Sequence, residues 1–282
     1  MKISFEDLKG KVCAITGGAG IIGVSMSKAL SSLGVKMAIM DLNLESANKA
    51  AAEIEKVTGV TTIGVGANVL EETSLLEAKK TINNKLGPVN ILINCAGGNN
   101  PGATTKLEML ESYSEDALKD SFFGLDIKAF QKVFDLNFIG TLLPTMVLAR
   151  DMIELKKGSI INISSMSAYK PLTKVAAYSA AKAAISNFTE WLSTHFAKVN
   201  IRVNAIAPGF FLTVQNKFLM TDEKTGELTP RGKRVIQRTP MGKFGEPDDL
   251  AGTLAYLVSD ISAFVTGIVI PVDGGFSSFS GV

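Results

Sequence analysis

The stretch "KVCAITGGAGIIGVSMSKALSSLG", Lys11 to Gly34, gives the first indication of the fold class. It begins with a short apolar run, which predicts a buried strand. A cluster of glycines follows, and after it apolar residues recur every three or four positions, which predicts a helix. A strand, a Gly-rich turn and a helix in this order begin a βαβ unit.

The same alternation of short strands and longer helices continues to the end of the chain. Six more runs predict strands: "VKMAIMD", "TTIGVGANV", "VNILINCAG", "GSIINISS", "NIRVNAIAPG" and "TGIVIPVDGG". Strands bounded by helices on each side imply parallel pairing and a sheet covered on both faces. We therefore predict an α/β fold for residues 1–282: a single Rossmann-type doubly wound domain with a seven-stranded, mostly parallel sheet and helices on both faces.

Two long segments interrupt this alternation, at about residues 98–126 and 210–247. We call them the first and second long loops. Both are polar and loop-like in pattern, and both follow predicted strands at their carboxyl ends. Ligands bind at that edge of open α/β sheets, and long loops in compact domains often cover functional sites. The sequence therefore predicts that both loops act as lids over a substrate.

The composition excludes several classes of partner. The 282 residues carry a net charge of +2, and Lys and Arg are mixed among Asp and Glu without a basic block. This charge distribution therefore gives no electrostatic reason to expect binding to nucleic acid or to an acidic membrane surface. No apolar run reaches the roughly 18 residues of a membrane span, and the N-terminus lacks an apolar signal core. Cys13 and Cys95 lie in apolar runs and are too few for a disulfide framework or a zinc site. We expect a cytoplasmic protein without a metal.

The Gly-rich turn points to a dinucleotide. Gly17, Gly20 and Gly23 permit a tight turn whose backbone N–H groups can approach a pyrophosphate at a helix N-terminus. Asp41 ends the second strand about 20 residues on, where an acidic side chain can bind ribose hydroxyls. Its charge would repel a 2′-phosphate, which favours NAD over NADP, although Asp41 could instead cap the next helix. The small residues of "NCAG", 94–97, either let a cofactor lie against the backbone or form a simple turn.

A second pattern bears on proton transfer. Tyr178 and Lys182 lie four residues apart in a predicted helix and therefore on the same side of it. A free phenol has a pKa near 10, and we expect two positive charges, Lys182 and an oxidised nicotinamide, to favour the phenolate. A Tyr and a Lys at this spacing usually mean only a solvated helix face. The single histidine, His195, lies at the far end of the same helix and is interpreted as a surface or interface residue.

These two patterns together resemble the short-chain dehydrogenase/reductase family over nearly the whole chain. "NCAG" is similar to the family's NNAG, "PGFFLT" (208–213) to its PG-x-x-x-T, and "VDGG" (272–275) to its C-terminal signature. There are two departures. Ile21 replaces the middle glycine of T-G-x-x-x-G-x-G, and the third strand ends in Asn68-Val69 where the family has Asp-Val. Asn68 can still hydrogen-bond an adenine edge.

The resemblance implies the site residues. It implies that Tyr178 exchanges a proton with the substrate hydroxyl, that Ser165 holds the substrate oxygen, and that Asn137 anchors a water linking Lys182 to solvent. Ser165 is preferred to Ser164 because it lies 13 positions before Tyr178, the family's spacing. The implied cofactor residues are Gly17, Gly20, Ile22, Gly23, Asp41, Asn68, Val69, Asn94, Ala96, Gly97, Tyr178, Lys182, Pro208, Gly209, Phe211 and Thr213.

Several loop segments resemble one group within this family, the D-mannonate oxidoreductases (fructuronate reductases). They include "AGGNNPGATT", "ISSMSAYKPLTK" and "APGFFLTVQNKFL". This resemblance implies an NAD-dependent interconversion of D-fructuronate and D-mannonate. A sugar acid needs donors or a cation for its carboxylate; the candidates are Asn99, Asn100, Lys170 and Gln215, each of which could equally be solvated. Arg231 and Arg234 are interpreted as solvated surface.

Other functions stay open. They are dehydrogenation of another polyol or sugar acid of the gluconate type, reduction of a 3-oxoacyl thioester, and cofactor sensing without turnover. Asp41 argues against the thioester reductase, which would favour NADPH. The helices over 130–153 and 176–196 carry more apolar residues than one buried face requires. The resemblance implies that they form a dimer contact within a homotetramer, a dimer of dimers.

Overall fold

A parallel sheet is the framework of the molecule. The computed structural model describes residues 4–212, 220–222 and 225–281. Within these residues the sheet has seven strands in the order β3-β2-β1-β4-β5-β6-β7, and every adjacent pair is parallel. The strands are β1 (Val12–Thr16), β2 (Lys36–Asp41), β3 (Thr62–Gly66), β4 (Ile91–Asn94), β5 (Gly158–Ile163), β6 (Ile201–Pro208) and β7 (Val269–Val272). The predicted Rossmann-type architecture is confirmed.

Helices cover both faces of this sheet. They are α1 (Ile21–Ser32), α2 (Leu44–Thr58), α3 (Glu72–Lys85), α4 (Glu115–Lys119), α5 (Ile127–Phe134), α6 (Gly140–Glu154), α7 (Ala176–Phe196), α8 (Pro230–Arg238) and α9 (Ala251–Val258). A π-helical turn, Asp135–Ile139, joins α5 to α6.

The core consists of two apolar layers, one on each face. Cys13 and Ile15 of β1 pack in the layer formed with α1, α2 and α9, and Val12 and Ala14 pack in the layer formed with α3, α6 and α7. Successive side chains of a strand point to opposite faces, so a strand buried on both sides is apolar throughout. Cys13 is fully buried, as expected of a core residue.

The strand order reverses direction between β1 and β4. From β1 the chain first builds outward through β2 and β3, then returns to add β4 on the other side of β1. Thr16 and Asn94 are paired at the carboxyl ends of these two strands. A crevice opens at such a reversal, because the connections leave in opposite directions.

The two long loops contain more helix than their polar composition indicated. The first includes α4 and short 3₁₀ turns, and the second includes α8. The start of α8 does carry a local signal, since Thr229 accepts a hydrogen bond from the Gly232 N–H and Pro230 takes the first helical position. The prediction of irregular loops was therefore wrong for these turns.

The helical stretch from Ile127 to Glu154 is long and apolar enough, by length and composition alone, to cross a membrane. Half of its most apolar window is buried inside the protein. Its α6 part packs against α3 and the strands β4 and β5. In this fold α6 thus has one face buried against the sheet and α3, while Met146 and Ile153 stay exposed.

Candidate active site

The Gly-rich turn after β1 is built so that only glycine fits. Gly17 has φ +60°, and a Cβ there would lie 2.8 Å from the Ala96 Cα. A Cβ on Gly23 would lie 2.7 Å from the Gly17 carbonyl oxygen. The buried Thr16 Oγ1 accepts hydrogen bonds from the N–H groups of Cys95 and Ala96, each at 3.1 Å. Thr16 thus joins the ends of β1 and β4, a role that the sequence analysis missed and that a polar residue ending an apolar strand could have signalled.

The N-terminus of α1 is open to an anion. Gly20 is its N-cap, with φ −71°, and no side chain caps the helix. The first-turn N–H groups have no acceptor within the helix, and the helix dipole places positive charge beside them. Ile21, at the family's middle-glycine position, is the first helical residue, and 39% of its surface is exposed. The turn therefore suits a pyrophosphate although the middle glycine is missing.

Asp41 faces this turn from the end of β2. Its Oδ2 accepts a hydrogen bond from the Ala19 N–H at 3.3 Å, and its Oδ1 accepts one from the Asn43 N–H at 3.2 Å. The cap of α2 is Asn43, whose side chain accepts from the Ser46 N–H. The alternative in which Asp41 caps this helix is therefore wrong. Its carboxylate lies partly exposed beside the Gly-rich turn.

Three predicted cofactor residues have their side chains engaged within the protein. Asn68 Nδ2 donates to Glu71 Oε1 at 2.8 Å, and Val69 is buried. Asn94 is buried and donates through Nδ2 to Thr145 Oγ1 and Asn162 Oδ1, each at 2.9 Å. The Asn94 amide group thus holds β4, β5 and α6 together beneath the crevice.

Ser165 and Tyr178 come together where β5 ends and α7 begins. Ser165 is buried, and its Oγ accepts from the Ser167 N–H at 3.2 Å. Burial raises the pKa of Tyr178, and a hydrogen bond with the Ser165 hydroxyl opposes this rise. The neighbouring Ser164 instead shares a hydrogen bond of 2.7 Å with Ser186, on α7. Ser164 is occupied in packing, which agrees with the choice of Ser165.

Lys182 lies one turn after Tyr178 and is only 4% exposed. Its Nζ lies 5.5 Å from the centre of the Tyr178 ring and donates to the Ile163 carbonyl at 2.7 Å. Burial lowers the pKa of Lys182 to about 8. Burial also raises the pKa of Tyr178, an effect that the Ser165 hydroxyl opposes and the Cys95 thiol reinforces. The charge of Lys182 was expected to lower the pKa of Tyr178. It does not offset the effect of burial, and this pKa stays raised.

Asn137 lies in the π-helical turn and is fully buried. Its Nδ2 donates to the carbonyls of Gly98 and Val133, each at 2.8 Å, and its Oδ1 accepts from the Gly98 N–H at 3.3 Å. A Cβ on Gly97 would lie 2.6 Å from this Oδ1 and 3.4 Å from Lys182 Nζ. Asn137 therefore fixes the turn after β4 next to Lys182. Its role as a water anchor stays a prediction.

The end of β6 closes the crevice on the far side. A Cβ on Gly209 would lie 2.6 Å from the Asp273 Cα, so the segment after Pro208 passes close against the C-terminal strand. Phe211 is buried and pairs with Gly245 in a short bridge. Thr213 and Gln215 lie outside the described residues.

The candidates for binding a substrate carboxylate have different surroundings. Asn99 donates to Thr104 Oγ1 at 3.0 Å, and Asn100 accepts from the Gly102 N–H at 2.9 Å, so both shape the first long loop. Lys170 lines an open pocket of about 560 Å³ between the two long loops, and Arg231 and Arg234 line it too. Arg234 is exposed, as interpreted from the sequence, whereas Arg231 is only partly exposed and its Nε is buried.

The chain is similar over most of its length to several known proteins. The family model described as "Enoyl-(Acyl carrier protein) reductase" matches residues 17–277. An "Uncharacterized oxidoreductase UxuB" of Bacillus subtilis is 47% identical, covering 98% of each chain. A 2-dehydro-3-deoxy-D-gluconate 5-dehydrogenase of Formosa agariphila is 33% identical, covering 98% of this chain and 96% of that one. A solved structure from Haemophilus influenza, described as a "putative D-Mannonate oxidoreductase" with bound NAD, has a TM-score of 0.92 and 46% identity, covering 98% of each chain.

Proposed function

The chain belongs to the short-chain dehydrogenase/reductase family of oxidoreductases, and from that premise we propose that it is a cytoplasmic, NAD-dependent enzyme that interconverts D-fructuronate and D-mannonate. One observation carries the proposal: Ser165, Tyr178 and Lys182 converge beside a Gly-rich turn whose helix N-terminus is free of any side-chain cap.

The residues around the crevice fit a dinucleotide. The N-terminus of α1 would hold the pyrophosphate, Asp41 the adenosine ribose, and the turns at 94–98 and 208–211 the nicotinamide end. When bound, this cofactor supplies the acceptor or donor of a hydride. The chain's own residues then have to orient the substrate and move one proton.

Tyr178 is proposed to move that proton. Ser165 binds the substrate oxygen, and the Tyr178 phenol gives a proton to the carbonyl during reduction or takes one from the hydroxyl during oxidation. Burial raises the pKa of Tyr178 and so keeps the phenol protonated. This supports its role as the acid in the reducing direction. Lys182, fixed on the Ile163 carbonyl, holds positive charge beside the ring.

NAD is the proposed cofactor because the Asp41 carboxylate lies beside the Gly-rich turn, where its charge would repel a 2′-phosphate. Asp41 is partly exposed, and its oxygens accept only from backbone N–H groups among the described residues. No arginine or lysine neutralises it by a salt bridge in that part of the chain. The NAD bound to the Haemophilus protein supports the same choice.

A sugar acid is the proposed substrate class. The Haemophilus protein described as a "putative D-Mannonate oxidoreductase" supports this class, since it is 46% identical to this chain over 98% of each. The Formosa relative supports a second candidate, oxidation of a deoxy-gluconate type of acid, although at 33% identity. The sensor alternative has less support, because all four predicted catalytic positions are filled and converge.

The proposed assembly is a homo-oligomer through α5, α6 and α7. Phe188, Trp191 and His195 stack along α7, with ring centres 6.3 and 4.9 Å apart. Trp191 is 58% exposed, and Met146 of α6 is 56% exposed. Exposed apolar side chains on neighbouring helices favour a protein partner, here a second copy of the chain.

A substrate panel tests the proposal. D-Mannonate, D-gluconate and D-mannitol are each offered with NAD and with NADP, and NADH or NADPH absorbance is followed. We expect selective turnover of D-mannonate with NAD. Turnover of D-gluconate or D-mannitol in its place would contradict the proposed substrate and leave the oxidoreductase chemistry intact.

A further inference from the structure

The open pocket between the two long loops is a candidate for recognising part of the substrate. Its volume of about 560 Å³ is within the usual range for small-ligand sites, about 300–1,000 Å³. Lys170, in its wall, follows Ser165 by five positions, and Phe210 follows the crevice residue Gly209 directly. Part of the pocket wall is therefore formed by the segments that follow β5 and β6 in the sequence.

Positive charge dominates this pocket. Four cationic side chains line it and one acidic one, Glu108. Glu108 forms a salt bridge with Arg234, whose guanidinium donates to the two carboxylate oxygens at 2.7 and 3.3 Å. The other three, Lys170, Arg231 and Arg238, form no salt bridge within the described residues. An anion in this pocket would meet three uncompensated cations.

Arg231 provides the second, independent observation. Its Nε is buried and has no hydrogen-bond partner in the described part of the chain. A buried donor without an acceptor is costly, so native structures usually satisfy it. A guanidinium is planar and matches a carboxylate with two parallel hydrogen bonds. A bound carboxylate would supply the acceptor that Arg231 lacks.

Lys170 and Arg238 are placed by the C-terminal tail. Lys170 Nζ donates to the Phe279 carbonyl at 2.9 Å, a neutral acceptor that leaves its charge uncompensated. A Cβ on Gly281 would lie 2.7 Å from Arg238 Nη1, so the tail passes close against that guanidinium. The Phe276 ring packs edge-on against Phe210, with ring centres 5.2 Å apart. The tail thus holds the cationic wall in place.

We infer that this pocket binds the carboxylate of the substrate, with Arg231 as its principal ligand and Lys170 as a second cation. This inference rests on the proposed sugar-acid function, which it makes specific at the residue level. Arg234 is excluded as the principal ligand because Glu108 already occupies it. The pocket selects an acid over a neutral polyol of the same length, because a carboxylate can pair its charge and both oxygens with the guanidinium, whereas a hydroxyl offers only a neutral acceptor.

Calorimetric titration of the enzyme loaded with NADH tests this inference without requiring turnover. D-Mannonate, D-gluconate and the neutral D-mannitol are titrated into the wild type, Arg231→Gln, Lys170→Gln and Lys233→Gln. Lys233 is the matched control, because it is exposed on the same helix α8 and does not line the pocket. We expect Arg231→Gln to weaken mannonate binding about tenfold or more, as for other charge-assisted hydrogen bonds. Lys170→Gln should weaken it less, and Lys233→Gln should change it less than about twofold, since exposed charges contribute little.

The outcomes separate the inference from the proposed function. Equal effects of Arg231→Gln and Lys233→Gln, or equal losses of mannonate and mannitol, would overturn the inference. Wild-type turnover of mannonate with unchanged binding in Arg231→Gln would overturn it and leave the proposed function standing. Arg231-dependent binding of D-mannonate or D-gluconate without turnover would support the inference and contradict the proposed function. If neither acid binds to the wild type, the inference is overturned as well.

The variant Arg231→Lys distinguishes a lost contact with the substrate from a loss of folding stability. It keeps the charge and removes the planar pair of donors, so we expect an intermediate mannonate affinity at an unchanged thermal midpoint. An affinity equal to that of Arg231→Gln, with a lowered midpoint in both variants, would show a structural role and overturn the inference.

Discussion

At the scale of single residues, burial sets the electrostatics of the proposed catalytic pair, Tyr178 and Lys182. The spacing of Tyr178 and Lys182 predicts that they share a helix face, and they do. The pKa of each depends on burial by β4, β5 and their loops, which no local pattern encodes. Lys182 therefore has a pKa of about 8, and that of Tyr178 is raised. The same limit concealed Arg231, whose polar surroundings in the sequence gave no sign of a buried Nε.

Asp41 is predicted to decide the cofactor. In Asp41→Asn the acceptor for the Ala19 N–H remains while the charge is lost, so repulsion of a 2′-phosphate disappears. We expect the ratio of kcat/KM for NAD to that for NADP to fall about tenfold or more, since a like-charge contact costs over a kcal/mol. Glu55→Gln, an exposed neutralisation on α2, is the control and should leave the ratio unchanged. An unaltered ratio in Asp41→Asn would rule out this role.

Lys182 is predicted to make stability depend on pH in a defined window. Its pKa is about 8 in the folded protein against 10.5 as the ordinary value, so between these pH values the unfolded chain holds the extra proton. Stability then rises with pH. Relative to Lys182→Met, the wild-type free energy of unfolding should gain about 3 kcal/mol from pH 8 to 10.5. Urea unfolding of both proteins at fixed concentration measures it; a difference independent of pH would contradict the burial argument.

At the scale of elements, regular structure was predictable wherever local pattern and tertiary environment agree. All seven strands and the bounds of α7 follow from apolar periodicity and Gly-rich ends. Helix α8 was missed, although Thr229 and Pro230 form an ordinary helix start, because charged residues dominate the segment. The contact between the loops, Arg234 with Glu108, joins positions 126 residues apart and has no local signal.

The tight packing of the Gly-rich turn predicts different effects for two Gly→Ala substitutions. Gly17 and Gly59 both have positive φ, but a Cβ meets backbone only at Gly17 and open space at Gly59. We expect Gly59→Ala to cost about 1 kcal/mol in unfolding free energy, the cost of left-handed backbone. Gly17→Ala adds overpacking and should cost about 2–4 kcal/mol. It should also weaken NAD binding, whereas Gly59→Ala should not. Thermal unfolding and NAD titration of both variants measure this, and equal effects would refute the close-packed turn.

At the scale of the whole molecule, the strand order and the exposed surface depend on how the elements are connected in space. The local pattern of apolar and polar residues does not determine them. Alternating strands and helices predict a parallel sheet covered on both faces, and the sheet is entirely parallel. The reversal beside β1 places the Gly-rich turn, Asp41 and the turn after β4 around one crevice. This path leaves Trp191 and His195 of α7 exposed, which is why an assembly is proposed.

The exposed aromatic face predicts the assembly. Trp191→Arg places a charge in the centre of the proposed contact, where burying it unpaired is costly. We expect the molar mass from sedimentation to fall from that of an oligomer toward that of the 29.9 kDa chain. Tyr113→Arg is the control, since Tyr113 is 96% exposed and lies outside this face. Equal masses for the wild type and Trp191→Arg would place any contact elsewhere.

The central claim is that Tyr178 transfers the proton in an NAD-linked reaction of a sugar acid. The most direct measurement is the rate of D-fructuronate reduction by NADH in the wild type and in Tyr178→Phe, with NADH affinity measured on both. We expect kcat to fall by about 10²–10⁴, the range for general acid–base catalysis, while NADH affinity stays within about twofold of the wild type. Equal rates in the two proteins would contradict it, whether both turn over D-fructuronate or neither does.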